Sequence, residues 1–127
     1  MNPPRLAYTI LFVRDMKKSV AFYRDLLGLA VRLESPDWSE FETGGTTLAL
    51  HQAAEGDLRQ VEPGLIPAGH CHPGFQVDDI DAFAARMAEA RVPMMNPVKL
   101  EDFGARFGTW RDPDGVPVAV VQMTSKA

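Results

Sequence analysis

The chain has 127 residues, the size of one ordinary domain, and its 46% hydrophobic and 24% charged residues are the balance of a globular protein. A net charge of −4 without a Lys/Arg stripe argues against nucleic acid as a partner. No apolar run approaches the ~20 residues of a membrane span, the opening residues hold no apolar signal segment, and the single cysteine, Cys71, excludes an internal disulfide and fits a reducing, cytoplasmic setting.

Residues 6–13 are mainly apolar and read as a largely buried strand. Asp15 is placed to cap a helix, and Met16, Val20, Tyr23 and Leu27 then form one apolar stripe at helical spacing. Gly28 suits the left-handed position beyond the helix end. Strands follow at 29–34, 38–43 and, after Gly44-Gly45, 46–52. Residues 53–69 carry Gly56, Pro63, Gly64, Pro67 and Gly69 with little periodicity, a long connection of the kind that serves as a lid or linker. A strand at 70–77 precedes a helix capped by Asp79, with Ile80, Phe83, Met87 and Ala90 on its apolar side and Pro93 as its stop. Strands at about 98–100, 106–111 and 116–123 complete the chain, the last two joined by the turn Asp112-Pro113-Asp114-Gly115.

The order is the same twice. Residues 8–15 match residues 72–79 in polarity and turn signals, 64 positions on, and residues 45–52 match 115–122, 70 positions on. Two half-size units in one chain predict a pseudo-twofold, single-domain fold over 1–127: module one at about 6–52, the connecting loop 53–69, and module two at about 70–123.

Three stretches carry a resemblance: Val13-Arg14-Asp15 leading into Ser19-Val20-Ala21-Phe22-Tyr23-Arg24-Asp25-Leu26-Leu27-Gly28, then Phe75-Gln76-Val77-Asp78-Asp79-Ile80, then Trp110-Arg111-Asp112-Pro113-Asp114-Gly115. Over residues 6–123 the chain resembles the vicinal oxygen chelate superfamily, the glyoxalase/bleomycin-resistance/dioxygenase family. The resemblance implies an α+β fold of two tandem βαβββ modules, whose curled mixed sheets enclose a shared cavity and often assemble as a homodimer. It does not imply one activity, because the family includes metal-dependent lyases, isomerases and dioxygenases as well as metal-free proteins that sequester antibiotics.

In the metal-using members each module gives one ligand from its first strand and one from its last. Those positions here are Tyr8, Ala49, His72 and Ala119. Only His72 is a good ligand; alanine has no donor atom, and a three-ligand zinc site or a facial triad is not met. Neighbours offer a rescued site of His51 and His72, with His70 or Glu40, for zinc, iron, manganese or nickel. The bland alternatives are a loop role for His70, hydrogen bonding at the pocket edge for His51, and a hydrogen-bonding relic for His72.

Strand alternation puts Tyr8, Ile10 and Phe12 on one face, Ala49 with His51, and Ala119 with Val121 and Met123. If these faces point into the cavity, two ligand positions have become small and apolar. Trp38, Glu40, Phe103 and Phe107 are candidate walls and Gln76 a polar contact, giving an aromatic small-molecule pocket. Tyr8 and Phe12 could equally fill the barrel, and residues 101–108 could be a plain hairpin. Phe41 and Trp110, at corresponding repeat positions, read as core on the helix-packed side.

The expected function is therefore metal-independent binding of a hydrophobic or aromatic small molecule, such as an antibiotic, with no cofactor. The alternative is a lyase, isomerase or dioxygenase using a displaced divalent metal at His51 and His72, or a metal-free enzyme with His72 or Tyr8 as acid or base.

Overall fold

The computed structural model describes residues 3–54, 62–66, 68, 70–102 and 104–124. The chain divides into two compact units, Met1–Asp57 and Leu58–Ala127. In the first, β1 (Tyr8–Val13) leads through α1 (Met16–Ala21) to β2 (Ala30–Leu33), β3 (Trp38–Glu42) and β4 (Thr47–Gln52). In the second, β5 (Gly74–Gln76) leads through α2 (Ile80–Glu89) to β6 (Met94–Leu100), β7 (Ala105–Arg111) and β8 (Pro117–Met123). The sheet orders are β1-β4-β3-β2 and β5-β8-β7-β6. In each sheet the first strand runs parallel to the last and the other pairs are antiparallel. The sequence repeat is thus a repeat of one mixed-sheet βαβββ module.

The same two devices start both helices. Asp15 accepts a hydrogen bond from the Lys18 amide at 3.2 Å, and Asp79 from the Ala82 amide at 3.0 Å, each satisfying an orphan donor of the first turn. A glutamine near the end of each module's last strand accepts from the first amide of that module's helix: Gln52 Oε1 from Met16 N at 3.1 Å, and Gln122 Oε1 from Ile80 N at 2.7 Å. Gln122 therefore faces the helix, away from Ala119, as strand alternation predicts.

One face of each sheet is buried against its helix. In the first unit Leu11, Val13, Leu48, Leu50 and Phe41 are buried, with Met16, Val20 and Tyr23 from the helix. In the second unit Val118, Val120 and Trp110 are buried, with Ile80 and Met87 from α2, and Phe83 meets Trp110 edge-on at a ring separation of 5.1 Å. Phe41 and Trp110 are core residues, as the repeat indicates.

Four elements differ from their predicted form. The strand expected to be largely buried at 6–13 is buried on one face only. The strand expected at 70–77 is confined to Gly74–Gln76. The first helix widens after Ala21 into a π-helical turn, Phe22–Leu26. The wider turn shifts the phase of the stripe, so the adjacent residues Phe22 and Tyr23 are both buried while Leu27 is only half-buried. Gly28 follows in the left-handed region with φ of +82°. The strand expected at 98–100 begins at Met94 and runs through Pro97. It is an edge strand with two register shifts, the setting in which a proline costs the sheet no ladder bond.

Ser19 is 1% exposed, and its hydroxyl has no hydrogen-bond partner among the described residues. An unpaired buried hydroxyl is destabilising, and serine is a weaker helix former than alanine. Ser19→Ala is expected to stabilise the protein by about 1 kcal/mol, raising the thermal midpoint by a few degrees. A lower midpoint would mean that the hydroxyl is satisfied in solution.

Candidate functional site

The face of the first sheet opposite α1 carries the predicted aromatic residues. Alternation along β1 leaves Tyr8, Ile10 and Phe12 at 47%, 45% and 58% exposure, while Leu11 and Val13 are buried on the other side. In register, Phe12 lies beside His51 and His51 beside Trp38, making one cross-strand row over three strands. The Phe12 and His51 rings are 4.9 Å apart, and Trp38 meets His51 edge-on at 6.0 Å. Tyr8 also reaches Trp38, edge-on at 6.0 Å. Tyr8, Phe12, Trp38 and His51 are therefore brought together as one aromatic cluster.

The next row is Ile10, Ala49 and Glu40. Ala49 is fully buried, so it forms the floor of the face and its larger neighbours supply the exposed surface. Glu40 is tied down at both oxygens: the Trp38 indole N–H donates to Oε2 at 2.8 Å and Arg32 Nε donates to Oε1 at 3.1 Å. The Trp38 bond holds the Glu40 carboxyl below the ordinary glutamate range; burial opposes it, and Arg32 adds to the depression. Arg32 also donates to Glu42 at 2.8 Å and to the Thr47 hydroxyl. Arg32 is the site residue that sequence reasoning missed. Its signal was a lone cation in β2, but the register shift between Val31 and Leu33, which local sequence does not announce, accompanies its reach across the face.

In the second sheet the corresponding rows are Gly74, Ala119, Thr109 and Asn96, and then Gln76, Val121, Phe107 and Lys99. Gln76 and Phe107, predicted separately, thus lie in one cross-strand row. Asn96, Pro97, Lys99, Glu101, Phe107 and Thr109 line a cavity of about 300 Å³. Ala119 is 6% exposed, again floor more than wall. Phe103, and most of the connecting segment 53–69, lie outside the described residues. Cys71 is exposed, not a core residue.

His70 and His72 precede β5 in irregular chain, with ring centroids 5.7 Å apart. His72 Nδ1 is buried and has no partner among the described residues. Burial, and then the nearby charge of His70, push the His72 imidazole below the ordinary histidine range. The unfolded chain therefore binds a proton that the folded chain resists. Stability is expected to fall as pH drops below about 6.5, levelling off once folded His72 is also protonated. His72→Gln should flatten that part of the profile of thermal midpoint between pH 7 and 5; an unchanged slope would assign it to another group.

The resemblance implies a metal site in some members, and the donor atoms present decide whether this chain can form one. Among the described residues, no group of three or more His, Cys, Asp or Glu side chains is placed to hold a metal ion. Two of the four family positions are alanines, Glu40 is occupied by Trp38 and Arg32, and His51 Nδ1 is bonded to the Gln52 carbonyl oxygen at 2.8 Å. Among the described residues, neither unit by itself makes up a three-ligand set.

Among the described residues, no helix is long and apolar enough to cross a membrane. Residues 5–120 match the model of the Glyoxalase/Bleomycin resistance protein/Dioxygenase superfamily. The uncharacterized protein YraH of Bacillus subtilis (strain 168) is 31% identical over 121 residues, which span 89% of this chain and 94% of that protein. Among solved structures, a lactoylglutathione lyase from Agrobacterium tumefaciens superposes with a TM-score of 0.72 at 26% identity, covering 96% of each chain. A glyoxalase/dioxygenase from Nostoc punctiforme gives 0.81 at 20% identity, covering 95% of this chain and 92% of that one. TnmS3, an antibiotic binding protein from Streptomyces sp. CB03234, gives 0.75 at 22% identity, covering 98% and 99%. Two βαβββ modules, the matched residues and these relatives lead to one assignment: the chain belongs to the Glyoxalase/Bleomycin resistance protein/Dioxygenase superfamily.

Proposed function

We propose that this protein is a metal-independent binder of small hydrophobic or aromatic molecules, acting by sequestration of a compound such as an antibiotic. Superfamily members bind small molecules and often form dimers. The fold hosts both a lyase and an antibiotic-binding protein, so the choice rests on the residues. The observation that carries the reading is alanine at Ala49 and Ala119, where metal-using members place ligands, together with the cluster of Tyr8, Phe12, Trp38 and His51 on the open face of the first unit. Such a surface offers ring planes for stacking and few free polar groups. Within the second unit, Gln76, Phe107 and His72 are proposed as ligand contacts of that unit's own face. We place the protein in the cytoplasm as a single domain that assembles as a homodimer.

Two measurements test the reading together. Elemental mass spectrometry on protein purified without tag or chelator should find far less than one zinc, iron, manganese or nickel per chain, also after incubation with those ions. A panel of planar aromatic compounds and antibiotics should contain members that raise the thermal midpoint, since a ligand at 100 times its Kd stabilises by about 2.7 kcal/mol. Near-stoichiometric metal together with no response to the panel would move the protein to the metal-dependent branch, with His51 and His72 as the first ligands to test.

A further inference from the structure

His51 defines what the aromatic face of the first unit can ask of a ligand. Its Nδ1 lies 2.8 Å from the carbonyl oxygen of Gln52. A carbonyl oxygen only accepts, so Nδ1 carries the proton, and in the neutral ring Nε2 keeps its lone pair. The ring plane is set by this bond, by Phe12 at 4.9 Å and by the edge of Trp38 at 6.0 Å. His51 is exposed, so the acceptor is accessible on the open face. Two neighbouring polar groups are already engaged: the Trp38 N–H with Glu40, and Arg32 with Glu40, Glu42 and Thr47. The face thus combines ring planes with a directed acceptor.

We propose that His51 Nε2 is the hydrogen-bond acceptor of the ligand site, and that the site selects planar aromatic compounds bearing a hydroxyl donor, such as phenols and hydroxylated polycycles. This rests on the binding role proposed above and names its ligand class. The metal-ligand use of His51 is a different role, which would also employ a ring nitrogen lone pair but would select no hydroxyl.

The test is a matched pair of probes titrated into the full chain at neutral pH: 2-naphthol, and 2-methoxynaphthalene, which keeps the rings and lacks the donor. Wild type should bind 2-naphthol roughly 3- to 10-fold more tightly, the usual gain from one neutral hydrogen bond. His51→Phe retains a ring beside Phe12 and Trp38 but no acceptor, and should close the gap. His51→Gln retains an acceptor and should preserve at least part of it. Both changes are at an exposed position, and unchanged thermal midpoints would show that the variants are folded. Equal binding of the two probes by wild type, or a gap that survives in His51→Phe, overturns the acceptor assignment and leaves the binding role standing. Failure of wild type to bind either probe up to its solubility limit overturns both.

Discussion

Trp38→Ala is expected to weaken binding of planar aromatic ligands by roughly 10- to 100-fold while leaving the protein folded. Trp38 is the largest ring of the exposed cluster and the one that joins its parts, meeting both Tyr8 and His51 at 6.0 Å. Its indole N–H is bonded to Glu40, which Arg32 holds from the other side, so the ring plane is set before any ligand arrives. A ring held in place loses less conformational freedom on binding than a mobile one. The residue is half-buried, so its loss should cost far less stability than loss of a core aromatic. Calorimetric titration with a ligand identified by thermal shift would measure the effect. Phe12→Ala should act in the same direction and more weakly. Wild-type affinity in Trp38→Ala would place the binding face elsewhere. The variant should also let the Glu40 carboxyl return toward the ordinary glutamate range, because the Trp38 bond is the largest cause of its depression.

Trp110→Ala is expected to destabilise the protein by about 3–5 kcal/mol. Trp110 is 1% exposed and packs edge-on against Phe83 at 5.1 Å. Its ring also lies over Gly108: a Cβ added there would stand 3.1 Å and 3.2 Å from the Trp110 ring carbons and 2.9 Å from a methyl of Val98. The backbone of β7 has come close enough to the indole that only glycine fits without displacement. Removal of the ring leaves a cavity bounded by a helix, an edge strand and that bare backbone. The loss is a large fraction of the ~5–15 kcal/mol that holds a typical domain together. Circular dichroism melting should show a midpoint lower by about 10 °C or more, or no cooperative transition. A drop of only 2–3 °C would mean that the unit refills the space at little cost.

Most of the module architecture was legible because it depends on local rules. The two Asp caps, the Gly28 stop and the Asp112–Gly115 turn each act within four residues, and each is where its residue type predicts. Alternation in β1 correctly separated Tyr8, Ile10 and Phe12 from Leu11 and Val13. The resemblance to the superfamily was carried by the same short motifs, and the family match over residues 5–120 bears it out.

What escaped the sequence depends on partners distant along the chain. The π-helical turn at Phe22–Leu26 accommodates two adjacent aromatic residues against one core, which no single helical stripe can do. β6 begins at Met94 because an edge strand has no second neighbour to need the missing N–H of Pro97. Arg32 spans from β2 to Glu40 on β3 and Thr47 on β4, a reach that exists only after three strands have paired. The repeat and the residue types thus determined which strands and faces form. The Trp38–Glu40 and His51–Gln52 bonds join residues two and one apart, and their strand geometry rather than chain distance sets them. Tertiary pairing decided that Arg32 reaches Glu40 and Thr47 and that Ala49 and Ala119 are floor, because these depend on neighbours in space and not in sequence.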